Sequence, residues 1–273
     1  GVLRTKAAGN PRHLYWVPSQ QEREPVDRWP WICRVRPGAE MTLTWNLPEA
    51  ANKPLFALPP IPDELWQNLP ESPFRGLDWF AREHAPIFFG RGYEIRELYQ
   101  QITAPHTPPL ILFYGQSGVG KSSLLAAGLL PRLEQRHTVC YQRRDQTKGL
   151  LGTLCTALAK NDRETSLGAA WQASERRDHR PLLIVLDQAE EAFTHPNADY
   201  PHEVTDLLSV LSAIFTAPSR PQGKLILSFR KEWLADIKRQ VMEQKLPHTE
   251  VHLQQLSARG VLEAIEGPMA IPE

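Results

Sequence analysis

The sequence is short of the features that mark secreted, metal-bound or membrane-embedded chains. It holds three cysteines in 273 residues, Cys33, Cys140 and Cys155, far apart and with no Cys-x-x-Cys pair. That spacing argues against a disulfide framework or a thiolate zinc site and fits reduced thiols in a cytoplasm. His13, His84, His106 and His137 are scattered without ligand spacing, so histidine-bound metal is not expected. No window approaches the ~18 uninterrupted apolar residues of a membrane span. No basic region followed by an apolar one opens the chain. No charge excess exists either: Lys plus Arg and Asp plus Glu each number 31, which leaves no global field to attract nucleic acid or an anionic membrane. The basic pairs Arg143-Arg144, Arg176-Arg177 and Lys238-Arg239 have acidic neighbours and read as solvated helix faces, so nucleic acid is not an expected partner.

What is present is an ordinary globular composition, 41% apolar and 23% charged, able to bury a full core in one large domain or two smaller ones. The chain starts at Gly1 without Met and ends in "EAIEGPMAIPE" after a helical pattern, and is expected to be a piece of a longer polypeptide. Most of the 25 prolines lie at or before Pro109, and most of the eight tryptophans fall in the first eighty residues. Two parts follow from that asymmetry: residues 1–70 and residues 71–273. In the first, "HLYWV" (13–17), "WICRV" (31–35) and "MTLTW" (41–45) read as short strands. "FALPPIPDELWQNLPESP" (56–73) reads as a proline-rich linker ordered by lying against a neighbour. In the second part, the apolar runs "LILFY" (110–114), "TVCY" (138–141), "LLIVL" (182–186), "KLILSF" (224–229) and "EVHL" (250–253) alternate with amphipathic helical patterns. Strands apolar on both faces and separated by helices predict a parallel α/β sheet covered on both sides.

Gly115-Gln116-Ser117-Gly118-Val119-Gly120-Lys121-Ser122 satisfies GxxxxGK[ST], with a strand before it and an amphipathic run, beginning at Ser123, after it. Glycines let several backbone N–H groups converge on a β-phosphate at the positive end of the next helix. In such a loop Lys121 supplies charge to the β- and γ-phosphates, and the Ser122 hydroxyl a ligand for Mg²⁺. Asp187 closes the apolar run "LLIVLD", and ligands of open parallel sheets sit beyond such strand ends, so Asp187 and Ser122 are the expected metal residues. Glu190 and Glu191 are both candidates to orient or deprotonate an attacking water, and Gln188, directly after the aspartate, suggests slow hydrolysis. Arg230 closes "KLILSFR", and it would point at a γ-phosphate if its strand lies between those carrying Lys121 and Asp187. A guanine reader is missing: the Asn52-Lys53 pair lies upstream and continues into Pro54-Leu55, which favours adenine.

Five blocks in this order, "SPFRGLDWFAREHAPIFFGRGYEIRELYQQI", "LFYGQSGVGKSSLLAAGLLPRL", "LLIVLDQAEEAFT", "LILSFRKEWLADI" and "LQQLSARGVLEAIEGP", resemble the novel STAND NTPases, signal-transduction ATPases related to AAA+ proteins. The resemblance implies a three-layer P-loop NTPase with sheet order 5-1-4-3-2, cut before the family's lid and winged-helix domains. It implies ATP/ADP and Mg as cofactors, and a low-turnover switch whose nucleotide state controls self-association and a fused N-terminal effector, with sensor domains downstream, as in bacterial antiviral defence or cell death. It also places Phe88, Phe89, Gly90 and Arg91 beside the adenine and ribose, with Arg91 the expected ligand contact; the family's usual next Glu is replaced here by Gly92, with Glu94 further on. A non-hydrolysing scaffold and an AAA+-type DNA loader are the alternatives.

Overall fold

The computed structural model describes residues 4–5, 13–17, 22–26, 55, 58–70, 72, 74–76, 78–158 and 166–270. The chain divides into two compact units, Gly1–Ala51 and Asn52–Glu273. In the first, β1 (Arg4–Thr5), β2 (His13–Val17) and β3 (Glu22–Val26) form an antiparallel sheet in the order β1-β2-β3. Among the described residues β3 pairs with β2 alone, an edge position of the kind in which a strand proline such as Pro25 is tolerated. The expected "HLYWV" strand is β2; the stretches at 31–35 and 41–45 and the Asn52-Lys53 pair lie outside the described residues.

The second unit begins with a segment in which proline does not prevent one helical turn, α1 (Asp63–Trp66), whose Leu65 packs with Ile61 and Ala85. Leu55 and Leu58 lie against the core of the unit. A 3₁₀ turn (Arg82–Ile87) leads to α2 (Gly92–Thr103). Then follow β4 (Leu110–Gly115) and α3, a continuous helix made of Lys121–Ser123, a π-wound stretch Leu124–Leu129, and Leu130–Leu133. After these come β5 (Thr138–Arg143), α4 (Gly149–Leu158), α5 (Leu167–Asp178), β6 (Leu182–Asp187) and α6 (Glu191–Thr194). The unit continues through α7 (Glu203–Thr216), β7 (Leu225–Arg230), α8 (Leu234–Glu243), β8 (His248–Leu253) and α9 (Ala258–Met269).

The five strands form one parallel sheet in the order β5-β6-β7-β4-β8. Numbered from β4, this is 5-1-4-3-2 read from β8, as the family resemblance implies, with β7 inserted between the strands of Lys121 and Asp187. Successive strand residues point to opposite faces, and the apolar runs exploit this. Leu110 and Leu112 join Leu150, Trp171 and Leu207 on one face, while Ile111 and Phe113 join Ile95, Leu98 and Leu129 on the other. Each such fully buried side chain contributes roughly 1.5–3 kcal/mol relative to exposure. The result is three layers, with every strand's C-terminal end on the same edge.

Helix α9 closes against that edge through small residues. Gly90 has φ +84°, and a Cβ there would lie 2.3 Å from the Gly260 carbonyl oxygen. Left-handed backbone and backbone contact together require glycine. Gly90→Ala is expected to cost about 2–4 kcal/mol, read as a lowered denaturant midpoint; an unchanged midpoint would show that α9 does not seat here.

Candidate nucleotide site

Strand β4 delivers the glycine-rich loop to the C-terminal edge of the sheet. Gly118 and Gly120 take left-handed φ of +75° and +95°, and an added Cβ at either would meet nothing within 4 Å. The loop backbone therefore curls open toward a cavity of about 740 Å³. Leu124 N–H donates to Gly120 O at 2.9 Å, so α3 starts at the loop and turns its positive end toward the same space. Lys121 Nζ spans the loop mouth, donating to Gly115 O at 2.9 Å and Gln116 O at 3.0 Å. Burial lowers its pKa, against the raising influence of Glu190 and Asp187.

Asp187 is fully buried and accepts three hydrogen bonds. Ser122 Oγ donates to Oδ2 at 2.6 Å, Tyr141 OH to the same oxygen at 2.7 Å, and Ser228 Oγ to Oδ1 at 2.6 Å. The flanking strands thus hold the carboxylate from both sides, since Tyr141 lies on β5 and Ser228 on β7. Burial is the first cause of the raised Tyr141 pKa, so the phenol stays a donor. Past Asp187 the chain turns through Gln188, a non-glycine residue at φ +61°, and Ala189 N–H donates to Ser228 O at 3.0 Å. That turn carries Glu190 back over the loop.

Glu190 is 4% exposed; its Oε1 lies 3.0 Å from Arg230 Nε, and its Oε2 is buried without a hydrogen-bond partner. Burial raises its pKa, opposed by Lys121 and Arg230. Gln188, Glu190 and Arg230 line the cavity together with Ser117–Ser123 and Asp187, whereas Glu191 starts α6 and lies outside that lining. Arg230 faces Gly115 in the β4–β7 register, so the inserted strand brings its guanidinium, half exposed, beside the loop.

Arg91 lines the same cavity and is buried, with its guanidinium engaged three ways. Nη1 donates to Glu94 Oε1 and to Gln254 O, and Nη2 to Val119 O, each at 2.8 Å. The arginine ties α2, the end of β8 and the loop together, and Glu94 is its acidic partner. Ser123 Oγ accepts from Phe80 N–H at 3.1 Å, anchoring the segment before the 3₁₀ turn to α3. Phe74, Phe80, Phe88, Phe89, Leu256 and Pro268 add apolar surface to the lining of the same cavity, alongside Arg75 and Asp78. Trp79 also lines it and lies 4.7 Å from the Arg143 guanidinium. Sequence reasoning missed Tyr141, Ser228, Trp79 and Phe80; the available signal was the place of Tyr141 and Ser228 near the ends of strands flanking β6.

The site residues suit Mg²⁺. Ser122 and Asp187 offer hard oxygens in mutual contact, and the Glu190 Oε2 is a buried carboxylate oxygen without a partner. Mg²⁺ is usually held by one or two such groups plus substrate phosphates. Among the described residues no cluster of three or more His, Cys, Asp or Glu could form an all-protein metal cage.

No curated protein matches the chain. Among solved structures, it is similar to an ORC1 protein of Aeropyrum pernix in complex with DNA, at 18% identity and a TM-score of 0.48, covering 68% of this chain and 51% of that one. It is also similar to an ORC2 protein of the same organism with ADPNP and ADP, at 16% identity and a TM-score of 0.44, covering 60% and 47%. The chain thus spans about half the length of these structures. The family described as "Novel STAND NTPase 1" matches residues 73–272, and the chain belongs to it.

Proposed function

We propose that the second unit binds ATP and ADP with Mg²⁺, hydrolyses ATP slowly, and acts as a switch. Its nucleotide state would control self-association and the activity of an N-terminal effector, under domains that sense a trigger, as in bacterial antiviral defence or cell death. The observation that carries this reading is the convergence of Lys121, Ser122, Asp187, Glu190 and Arg230 on one cavity of about 740 Å³ that aromatic side chains also line.

In this reading, loop N–H groups and Lys121 hold the phosphates, and the aromatic side chains of the lining take the adenine, with Arg91 bracing the loop through Val119 O. Ser122 and Asp187 would hold Mg²⁺, which when bound neutralises charge on the β- and γ-oxygens. Glu190 accepts the proton of the attacking water; its raised pKa makes it the stronger base. The Arg230 contact restrains that base, and withdrawal of Arg230 toward a γ-phosphate would free it. This ion pair, with glutamine rather than glutamate directly after Asp187, supports low turnover. The free thiols Cys140 and Cys155 fit a cytoplasmic location, and among the described residues no helix is long and apolar enough to cross a membrane.

The test is to denature the purified protein, identify released nucleotide by chromatography, and follow Mg²⁺-dependent phosphate release on the same sample. Adenine nucleotide and slow turnover are expected, with a larger particle by light scattering in a non-hydrolysable ATP analogue than in ADP. Binding with no Mg²⁺-dependent turnover would leave the scaffold reading; no binding of either nucleotide would overturn both.

A further inference from the structure

The edge of the sheet opposite the nucleotide cavity carries a surplus of cations, although the whole chain has equal numbers of basic and acidic residues. Arg136 follows α3, Arg176 and Arg180 lie at the end of α5 and just beyond it, and Arg220 lies between α7 and β7; all four are exposed. They surround two adjoining hollows of about 550 and 470 Å³ that share Pro181, Arg220 and Gln222.

The acids nearby do not offset them. Glu175, which lines one hollow, is turned onto backbone: its carboxylate accepts from the amides of Leu182, Gln222 and Gly223 at 2.7–3.0 Å. Asp178 pairs with Arg177, and Glu134 pairs with Arg82. No ion pair involves any of the four arginines among the described residues. Reading Arg176-Arg177 as one self-neutralised helix face therefore holds for Arg177 alone. Lys224, beneath, is buried and donates to Gln101 O and Ala104 O, while Arg180 commits only one Nη1 hydrogen bond, to Glu134 O at 3.0 Å; the guanidiniums of Arg136, Arg176 and Arg220 and the remaining donors of Arg180 are the available groups.

The chemistry of this face selects among polyanions. Protein partners anchor on buried aromatic and large apolar side chains, and no exposed large apolar residue lies among those lining the two hollows. Single strands stack bases on aromatic rings, and no Phe, Tyr or Trp lines either hollow. Duplex backbone needs only cations and hydrogen-bond donors, and guanidiniums match phosphate oxygens. We propose that this face binds the phosphodiester backbone of duplex nucleic acid without base readout, independently of the nucleotide cavity.

The experiment is fluorescence anisotropy of a labelled mixed-sequence duplex with the intact chain, without added nucleotide, over a range of salt. Four contacts at a slope of about −0.9 each predict roughly 100-fold weaker binding at ~200 mM than at ~50 mM salt. Arg176→Glu with Arg220→Glu is expected to lose at least about tenfold at the lower salt. Arg239→Glu, altering a residue already paired with Asp236 and Glu243 on α8, is expected to change nothing. Unchanged melting and adenine-nucleotide binding verify the variants' fold; if the double variant fails, Arg176→Gln and Arg220→Gln should each reduce the salt slope by about one. No duplex binding at low salt, or binding that these substitutions leave intact, overturns the proposal. So does binding to polyglutamate or phosphatidylserine vesicles with duplex ignored, which would assign the face to an acidic polypeptide or a membrane.

Discussion

Lys121→Ala is expected to weaken ATP and ADP binding by at least about 100-fold, read by titration calorimetry or a fluorescent nucleotide. Charge-assisted hydrogen bonds are worth about 1.5–3 kcal/mol each, and Lys121 is the charged side chain set at the mouth of the loop. The same change should leave the nucleotide-free fold intact. Burial lowers the lysine's pKa, so the ammonium is held at a desolvation cost that alanine removes. Between the lowered and the ordinary lysine pKa, the unfolded chain binds more protons than the folded one, so wild type gains stability as pH rises through that window and the variant does not. Ligand-induced stabilisation, RT ln(1 + [L]/Kd), should then vanish while the basal midpoint holds. A variant with undiminished affinity would exclude the loop as the phosphate site, whereas a variant that fails to fold would instead give Lys121 a structural role through its carbonyl contacts. Lys121→Met, which keeps the aliphatic stem, separates those outcomes.

The loop and the strand ends were legible because their signals are local. A contiguous glycine pattern between an apolar run and a helical one names its own context, and "LLIVLD" places Asp187 on a buried strand's last residue without any tertiary knowledge. The sheet order was reached through family resemblance, since periodicity distinguishes strands from helices but does not rank neighbours. What stayed hidden depends on register. Tyr141 meets Asp187 because β5 and β6 pair Tyr141 with Val185 and Arg143 with Asp187, a relation no spacing along the chain encodes. Glu190 and Glu191 look alike in sequence; the left-handed turn at Gln188 is what carries the first into the cavity. The basic face was invisible for the opposite reason: its arginines come from three separate stretches of chain, two of which look balanced because Glu134, Glu175 and Asp178 are near in sequence but engaged with other groups, while the third offers Arg220 alone.

Glu190→Gln carries the other large effect. A positioned general base contributes about 10²–10⁴ in rate, so turnover should fall by at least about 100-fold, with ATP affinity kept within about threefold. Glu191→Gln, outside the cavity lining, should leave turnover close to wild type. Stability separates this from damage. Glu190 is a nearly buried carboxylate with one partnered and one unpartnered oxygen, and burial raises its pKa. A carboxylate whose folded pKa lies above its unfolded value binds more protons in the folded state, so stability falls as pH rises from about 4.5 through the raised value. Glutamine removes that fall. The variant should therefore be at least as stable as wild type at neutral pH, and its denaturant midpoint should vary less across the acidic range. Wild-type turnover should decline as pH drops through the same raised pKa, because protonation disables the base. If Glu190→Gln keeps full turnover, the water is positioned elsewhere and Gln188, the neighbouring residue in the cavity lining, is the next group to replace. If turnover and the denaturant midpoint fall together at neutral pH, the Arg230 contact is a structural bond and the restraint it places on the base is not the origin of slow hydrolysis.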